Sequence, residues 1–326
     1  INKGETCSVT VVGNPKLPAG VKNESLNYTC NTVSTLSNLT INGQVPPIPA
    51  ITEVFMGLYH SCALFDNNKI KCWGRNERGQ LGIESTWDIG DNEKPSATDY
   101  VDVGGNVVQM SLSDDYTCAL LDNGNVKCWG FNNHGVLGQP GLDTIIGDDE
   151  SPSVLGNINL GNSATKVVSG KNHACALLSI GEVKCWGKSS WGQTGYARIN
   201  PVLDPSDVGF VSLGGLVVDI TAGDDHTCAL LDDGNVRCWG TNVYGRLGYG
   251  HTEPYIGDDE FPDSQAPVNI GGVVTQIEAG GLHTCALLTT GNVRCWGLNP
   301  GMLGYGHTDI IGDDEHPFQA GDVNIG

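Results

Sequence analysis

Twelve cysteines, a recurring histidine and repeated Gly-Asp-Asp-Glu tracts are the residues of this sequence with chemistry to offer. Ten of the cysteines come as pairs around a short turn, as in the run from His226 through Cys228 and Cys238 to Gly240. Thiolates could hold zinc, but zinc sites draw on close C-x2-4-C pairs, and the sequence has none. The carboxylates of Asp148, Asp149 and Glu150, of Asp258, Asp259 and Glu260, and of Asp313, Asp314 and Glu315 would suit calcium, which takes six to eight oxygens. Neighbouring residues of an extended segment point to opposite sides, so such a tract chelates only around a tight bend. The plainer reading is a turn whose carboxylates cap local N–H groups and keep the surface soluble. His60, His173, His226 and His283 recur at one position, where the second copy has Tyr116. A catalytic histidine is normally unique, so a repeated one reads as a structural tie between strands or blades.

The elements that must position these residues follow from periodicity. Five copies of the same stretch, at 60–74, 116–130, 173–187, 226–240 and 283–297, place their first cysteines 56, 57, 53 and 57 residues apart. A period of that size means stacked units that bury apolar surface against their neighbours. In the fourth copy Asp232-Asp233-Gly234 fits a three-residue hairpin loop ending in a left-handed glycine. That register sets Leu230 opposite Val236, Ala229 opposite Arg237 and Cys228 opposite Cys238, with the cysteines on one face. Directly opposed cysteines can bond, so the spacing predicts Cys62–Cys72, Cys118–Cys128, Cys175–Cys185, Cys228–Cys238 and Cys285–Cys295. Cys7 and Cys30 are left as a sixth pair. Val273–Ile277 supplies a preceding strand and Ala266–Ile270 a fourth. The fold class is therefore all-β: a β-propeller of about five four-stranded blades over 51–326, each with an internal disulfide, after a short N-terminal β extension over 1–50.

The units also run H-T-x-A-L, then G-x-V-x-x-W-G, then G-x-L-G, as at Gly79–Gly82, Gly135–Gly138, Gly192–Gly195, Gly245–Gly248 and Gly301–Gly304. In this they resemble the regulator of chromosome condensation repeat family. The resemblance implies a propeller that binds macromolecules through blade loops and ring faces. Its best-known members have seven blades, whereas five are visible here; the ring closes with five, or further blades are cryptic, missing or on another chain.

Composition narrows the function. A net charge of −20 repels a phosphate backbone and argues against nucleic acid as partner. No apolar run is long enough for a membrane span. A start at Ile1 reads as a processed or partial chain. Five disulfides need an oxidising compartment, so the expected location is extracellular, secreted or at the cell surface. Residues 1–50 fall outside the repeat and end in the stiff Val45–Ala50 connector. They hold three glycosylation triplets, at Asn23, Asn27 and Asn38. This stretch reads as a packed extension or as an arm donated to a neighbouring subunit, which would build a homopolymer.

Trp73, Trp129, Trp186, Trp239 and Trp296 suit packing between blades. The basic residue two before each (Lys71, Lys127, Lys184, Arg237, Arg294) reads as a solvated strand face, while Trp87, Trp191, Tyr244 and Tyr255 could stack on a sugar. No nucleophile elbow or phosphate loop occurs. The expectation is a non-catalytic propeller without a cofactor, acting in adhesion, recognition or surface-filament assembly on a protein or glycan ligand. A carbohydrate-active hydrolase or lyase and a calcium-dependent lectin are the alternatives.

Overall fold

A computed structural model describes Ser25–Leu26, Leu39–Thr40 and residues 48–142 and 144–326, and the chain divides into two units, Ile1–Ala50 and Ile51–Gly326. In the first, Ser25–Leu26 pairs antiparallel with Leu39–Thr40. Cys7, Cys30, Asn23, Asn27 and Asn38 lie outside the described residues.

The second unit is five antiparallel meander sheets. Blade one is built from Ile51–Met56, His60–Phe65 and Ile70–Gly74. Blade two has Val107–Leu112, Tyr116–Leu121, Val126–Phe131 and Ile145–Ile146. Blade three has Ala164–Ser169, His173–Leu178 and Val183–Gly187. Blade four has Val217–Ala222, His226–Leu231, Val236–Thr241 and Tyr255–Ile256. Blade five has Val274–Ala279, His283–Leu288 and Val293–Gly297. The first strand of every blade lines one central channel of about 610 Å³. Each inner strand carries a bulge after its first residue, as between Val217 and Asp219, which adds local twist.

The hairpin register is the one the turn chemistry dictates. Cys228 faces Cys238, Ala229 faces Arg237 and Leu230 faces Val236, with Gly234 left-handed at φ 81°. The five bonds Cys62–Cys72, Cys118–Cys128, Cys175–Cys185, Cys228–Cys238 and Cys285–Cys295 each pin a middle strand to a third strand. The fourth strand is slighter than the sequence suggests. Tyr255–Ile256, not Ala266–Ile270, forms it in blade four, and Val268 adds one N–H to the Val236 carbonyl. Blades three and five reduce this strand to a single bridge, at Val202 and Ile311, and blade one to two separate bridges, at Ile89 and Val101.

Blades join by the alternation of β side chains. In blades two, three and four all six residues of the middle strand are buried, since one face meets the preceding blade and the other the following one. Each repeated histidine packs against a glycine three residues earlier: His60 on Gly57, His173 on Gly170, His226 on Gly223 and His283 on Gly280. A Cβ on Gly223 would sit 2.2 Å from His226 Cε1 and 2.4 Å from the Gly280 carbonyl. Where the second blade replaces histidine with Tyr116, the equivalent residue is Ser113, whose hydroxyl donates to the Gly170 carbonyl at 2.8 Å.

Gly223→Ala should therefore overpack the joint and cost about 1–3 kcal/mol of unfolding free energy in urea. Gly209→Ala, where an added Cβ meets nothing within 4 Å, should stay within about 0.5 kcal/mol of wild type.

Candidate functional site

Three kinds of polar residue recur through the blades, and the structure gives each a place. The histidines are ties between blades. His60, His173 and His226 each put Nε2 at 2.7, 2.8 and 2.9 Å from the hydroxyls of Thr117, Thr227 and Thr284 of the next blade. Tyr116 does the same work by donating to the carbonyls of Gly170 and His173. Burial favours neutral imidazole, holding His60 and His173 at about 4 and His226 well below its ordinary value. Tryptophan ties the joint in the opposite direction. The indoles of Trp129, Trp186, Trp239 and Trp296 donate to the carbonyls of Gln80, Val136, Gln193 and Arg246 in the preceding blade.

The basic residues two before each tryptophan are buried or part-buried rather than a fully solvated face. Lys127 and Lys184 are buried and donate to the carbonyls of Ser153, Pro205 and Val208, and burial lowers the pKa of both. Lys71 and Arg237 reach the same Pro-led turns through Pro95 and Pro262. Arg294 pairs with Asp322 instead, at 2.7 Å. Side chains that alternation places outward are covered because the Pro-led turn folds back over the sheet.

The acidic tracts do bend. Gly147, Gly257 and Gly312, all at φ 98°, turn the chain where it crosses the Gly-x-x-Gly turn of the preceding blade. Asp148, Asp149 and Glu150 thereby bring one carboxylate oxygen each within 4.8 Å of one another, as do Asp258, Asp259 and Glu260, and Asp313, Asp314 and Glu315. Burial, then hydrogen bonding and repulsion from the adjacent aspartates, raises Glu150 and pushes Glu260 and Glu315 up to about 7. These clusters supply three of the oxygens a calcium ion takes. A buried asparagine was legible but unread: in W-G-x-N, Asn76, Asn132, Asn242 and Asn299 accept the N–H groups of Leu81, Leu137, Leu247 and Leu303.

Residues that differ between blades gather on one rim. His60 pairs with Gly74, so the loop after the inner strand and the loop after the third strand leave each blade at the same end. Hydrogen bonds tie the two loops together, as from Arg75 N–H to the Tyr59 carbonyl and from Thr241 N–H to the Asp225 carbonyl. The channel mouth there is lined by Leu58, Asp114, Lys171, Asp224 and Gly281. Around it, Arg75 meets Asp115, Lys171 meets Asp114 at 3.6 Å, and Lys188 and Gln193 meet Asp225 at 3.5 and 2.9 Å. Asp224 is held above its ordinary pKa by burial and by the charges of Asp114 and Asp225. The residue before each Gly-x-x-Gly turn is Arg78, His134, Trp191 or Tyr244 in blades one to four. Lys188 lies 3.2 Å over the Trp191 ring and Arg78 4.5 Å over Phe131. Of the aromatics with sugar-stacking potential, Trp191 and Tyr244 thus share equivalent rim positions. Trp87 stands elsewhere in its loop, 79% exposed, and Tyr255 belongs to a fourth strand.

Five small sheets around one channel, with a rim of unequal charged and aromatic groups, define a repeat β-propeller built to present loops. The chain belongs to the RCC1-like domain family, whose profile matches residues 17–323. It is similar to the human probable E3 ubiquitin-protein ligase HERC6, 32% identical over 270 residues, which are 79% of this chain and 25% of that protein. It is similar also to the Arabidopsis thaliana ultraviolet-B receptor UVR8, 28% identical over 79% of this chain and 56% of the receptor. The chain spans a quarter to about half the length of these relatives. Among solved structures, human WBSCR16 shares the fold at 24% identity and a TM-score of 0.68, covering 89% of this chain and 71% of that one. Among the described residues no helix is long and apolar enough to cross a membrane.

Acid should act on the joints and the clusters with opposite signs. A histidine depressed from 6.5 to about 4 contributes stability that is complete above pH 6.5 and lost as the pH falls through 4, up to about 3 kcal/mol for each. A glutamate raised from 4.5 to about 7 costs stability that appears above pH 4.5 and is complete above 7. The double variant Glu260→Gln/Glu315→Gln should melt higher than wild type at pH 8 and match it at pH 4. Melting curves across that range check both signs.

Proposed function

We propose that this chain is a non-catalytic recognition propeller that works in an oxidising, extracellular or cell-surface setting and takes a protein surface as its partner. The observation that carries the reading is the rim. It joins preorganised aromatics to cations and carboxylates already held in fixed geometry, as Lys188 is between Trp191 and Asp225. Aromatic residues and arginine dominate binding energy at protein interfaces, and prior ordering lowers the entropy lost on association. Membership of the RCC1-like domain family supports a binding role, since relatives with this domain include a receptor as well as ligases. The five disulfides support the compartment, because such bonds persist where thiols are not continually reduced. The carboxylates form repeated clusters, one at each of three joints, which suits structure better than a single asymmetric hydrolytic pair.

Fluorescently labelled protein should bind the surface of the cells that produce it. Binding should vanish after protease treatment of those cells and survive glycosidase treatment. Trp191→Ala/Tyr244→Ala should weaken it by at least about 10-fold without lowering the melting temperature. Survival of protease with loss after glycosidase would replace the protein partner with a glycan.

The acidic clusters favour a second, calcium-dependent form of this reading. Calcium added at pH 7 should then release protons and raise the melting temperature of wild type but not of Glu260→Gln/Glu315→Gln. No shift in wild type would remove it.

A further inference from the structure

At the end of the strands away from the rim, beside the hairpin turns, two joints open into crevices. One of about 660 Å³ lies between blades two and three, and one of about 500 Å³ between blades three and four. Equivalent segments build both. Ile158 N–H meets the Val126 carbonyl in the first, as Val211 N–H meets the Val183 carbonyl in the second. In that register Asn157 corresponds to Phe210, Asn125 to Glu182 and Ser163 to Leu216. The inward residues are apolar in both: Ile158, Leu160, Val211 and Leu213 are 1–4% exposed. The outward residues are therefore free to differ, and they do.

The first crevice is polar and uncharged, lined by asparagine and serine. In the second, Phe210 and Leu216 are 41% and 52% exposed. Leu216 packs on the preceding hairpin turn, where a Cβ on Gly181 would lie 3.2 Å from its Cδ2. That turn carries the exposed Ile180, where the turn of blade two has Asn123. Exposed apolar side chains gathered at one place, where the sister crevice has polar ones, give up burial that the scaffold does not require. Lys184 stands 5.9 Å over the Phe210 ring, a cation–π contact that orders it.

The charges around this crevice divide by sign. Its two cations, Lys184 and Arg237, are turned onto carbonyls, those of Pro205 and Val208 and those of Pro262 and Gln265. Asp263 accepts from the Ser212 hydroxyl at 2.6 Å. Glu182 in the wall, and Asp232, whose N–H meets the Leu216 carbonyl, have no ion-pair partner among the described residues. The crevice is thus an ordered apolar slot with two uncommitted carboxylates at its edge.

We infer that this crevice docks a short segment of a protein partner in which an apolar side chain is flanked by lysine or arginine. The apolar side chain enters between Phe210 and Leu216, and the flanking cations meet Glu182 and Asp232. Anchors of this kind carry most of the energy of a contact, while charges at the edge select the partner. The chain's net charge of −20 also favours the approach of a basic segment. The middle strand His226–Leu231 runs from the rim to the turn beside this crevice, so the site lies at the opposite end of the blades and uses no residue of the rim.

Nuclear magnetic resonance titration of the intact, nitrogen-15-labelled chain tests it. The probes are two capped heptapeptides with a central leucine, flanked on each side by two lysines in one and by two glutamates in the other. The lysine peptide should shift the amides of Gly214, Gly215 and Leu216 and bind at least about 10-fold more tightly than the glutamate peptide. Phe210→Asn/Leu216→Ser takes the residues of the sister crevice, so it should melt like wild type and bind at least about 10-fold more weakly. Glu182→Lys should abolish the preference for lysine over glutamate. Trp191→Ala/Tyr244→Ala should bind the lysine peptide like wild type, which separates this site from the rim. Absence of shifts at these amides, equal binding of the two peptides, or undiminished binding by Phe210→Asn/Leu216→Ser would each overturn the inference. Binding of phosphatidylcholine vesicles without binding of either peptide would overturn it in favour of a lipid surface.

Discussion

A blade of this protein has no core of its own. It is three or four short strands with two apolar faces, and each face is covered only when another blade lies against it. Burial of side chains alternating across one thin sheet is therefore the interaction on which everything else depends. The joint adds direction to that burial. Histidine reaches forward to a hydroxyl and tryptophan reaches back to a carbonyl, so polar groups that would be costly to bury unpaired also fix the order of the blades. The disulfide works at a smaller scale. It holds the middle and third strands in the one register that gives every blade the same pair of faces.

This division sorts the residues. What repeats serves the scaffold: histidine and tryptophan tie the joints, the lysine or arginine and the asparagine of W-G-x-N hold turns of their own unit, and the acidic tract bends against the preceding blade. What changes at a fixed position is free to serve recognition. Arg78, His134, Trp191 and Tyr244 occupy one place in four successive blades with four different chemistries, next to ion pairs that also differ from blade to blade. A surface assembled this way is specific because it breaks the symmetry of its scaffold.

Much of the scaffold was legible in the sequence because it rests on local chemistry. A glycine-ended turn fixes the hairpin, the hairpin fixes the cysteine pairs, and the period fixes the number of blades. The fourth strand was not. Two residues such as Tyr255–Ile256 carry no alternation of their own, and their pairing is set by the loop that delivers them. The basic residues were misread for a related reason. Alternation predicts which way Lys184 points, but not that the turn at Pro205 returns to cover it. The acidic bends depend on left-handed glycines that precede them, and composition marks such glycines without showing which way the chain then runs. The rim was invisible as a site, since it unites loops from different strands and only the register shows that they leave at one end.

Hydrogen exchange resolved by blade tests the dependence of each blade on its neighbours. Amides of His173–Leu178 in blade three should be the most protected, and those of Ile51–Met56 in blade one and His283–Leu288 in blade five the least. Equal protection in all five blades would contradict the account, because each sheet would then be stable without a partner on both faces.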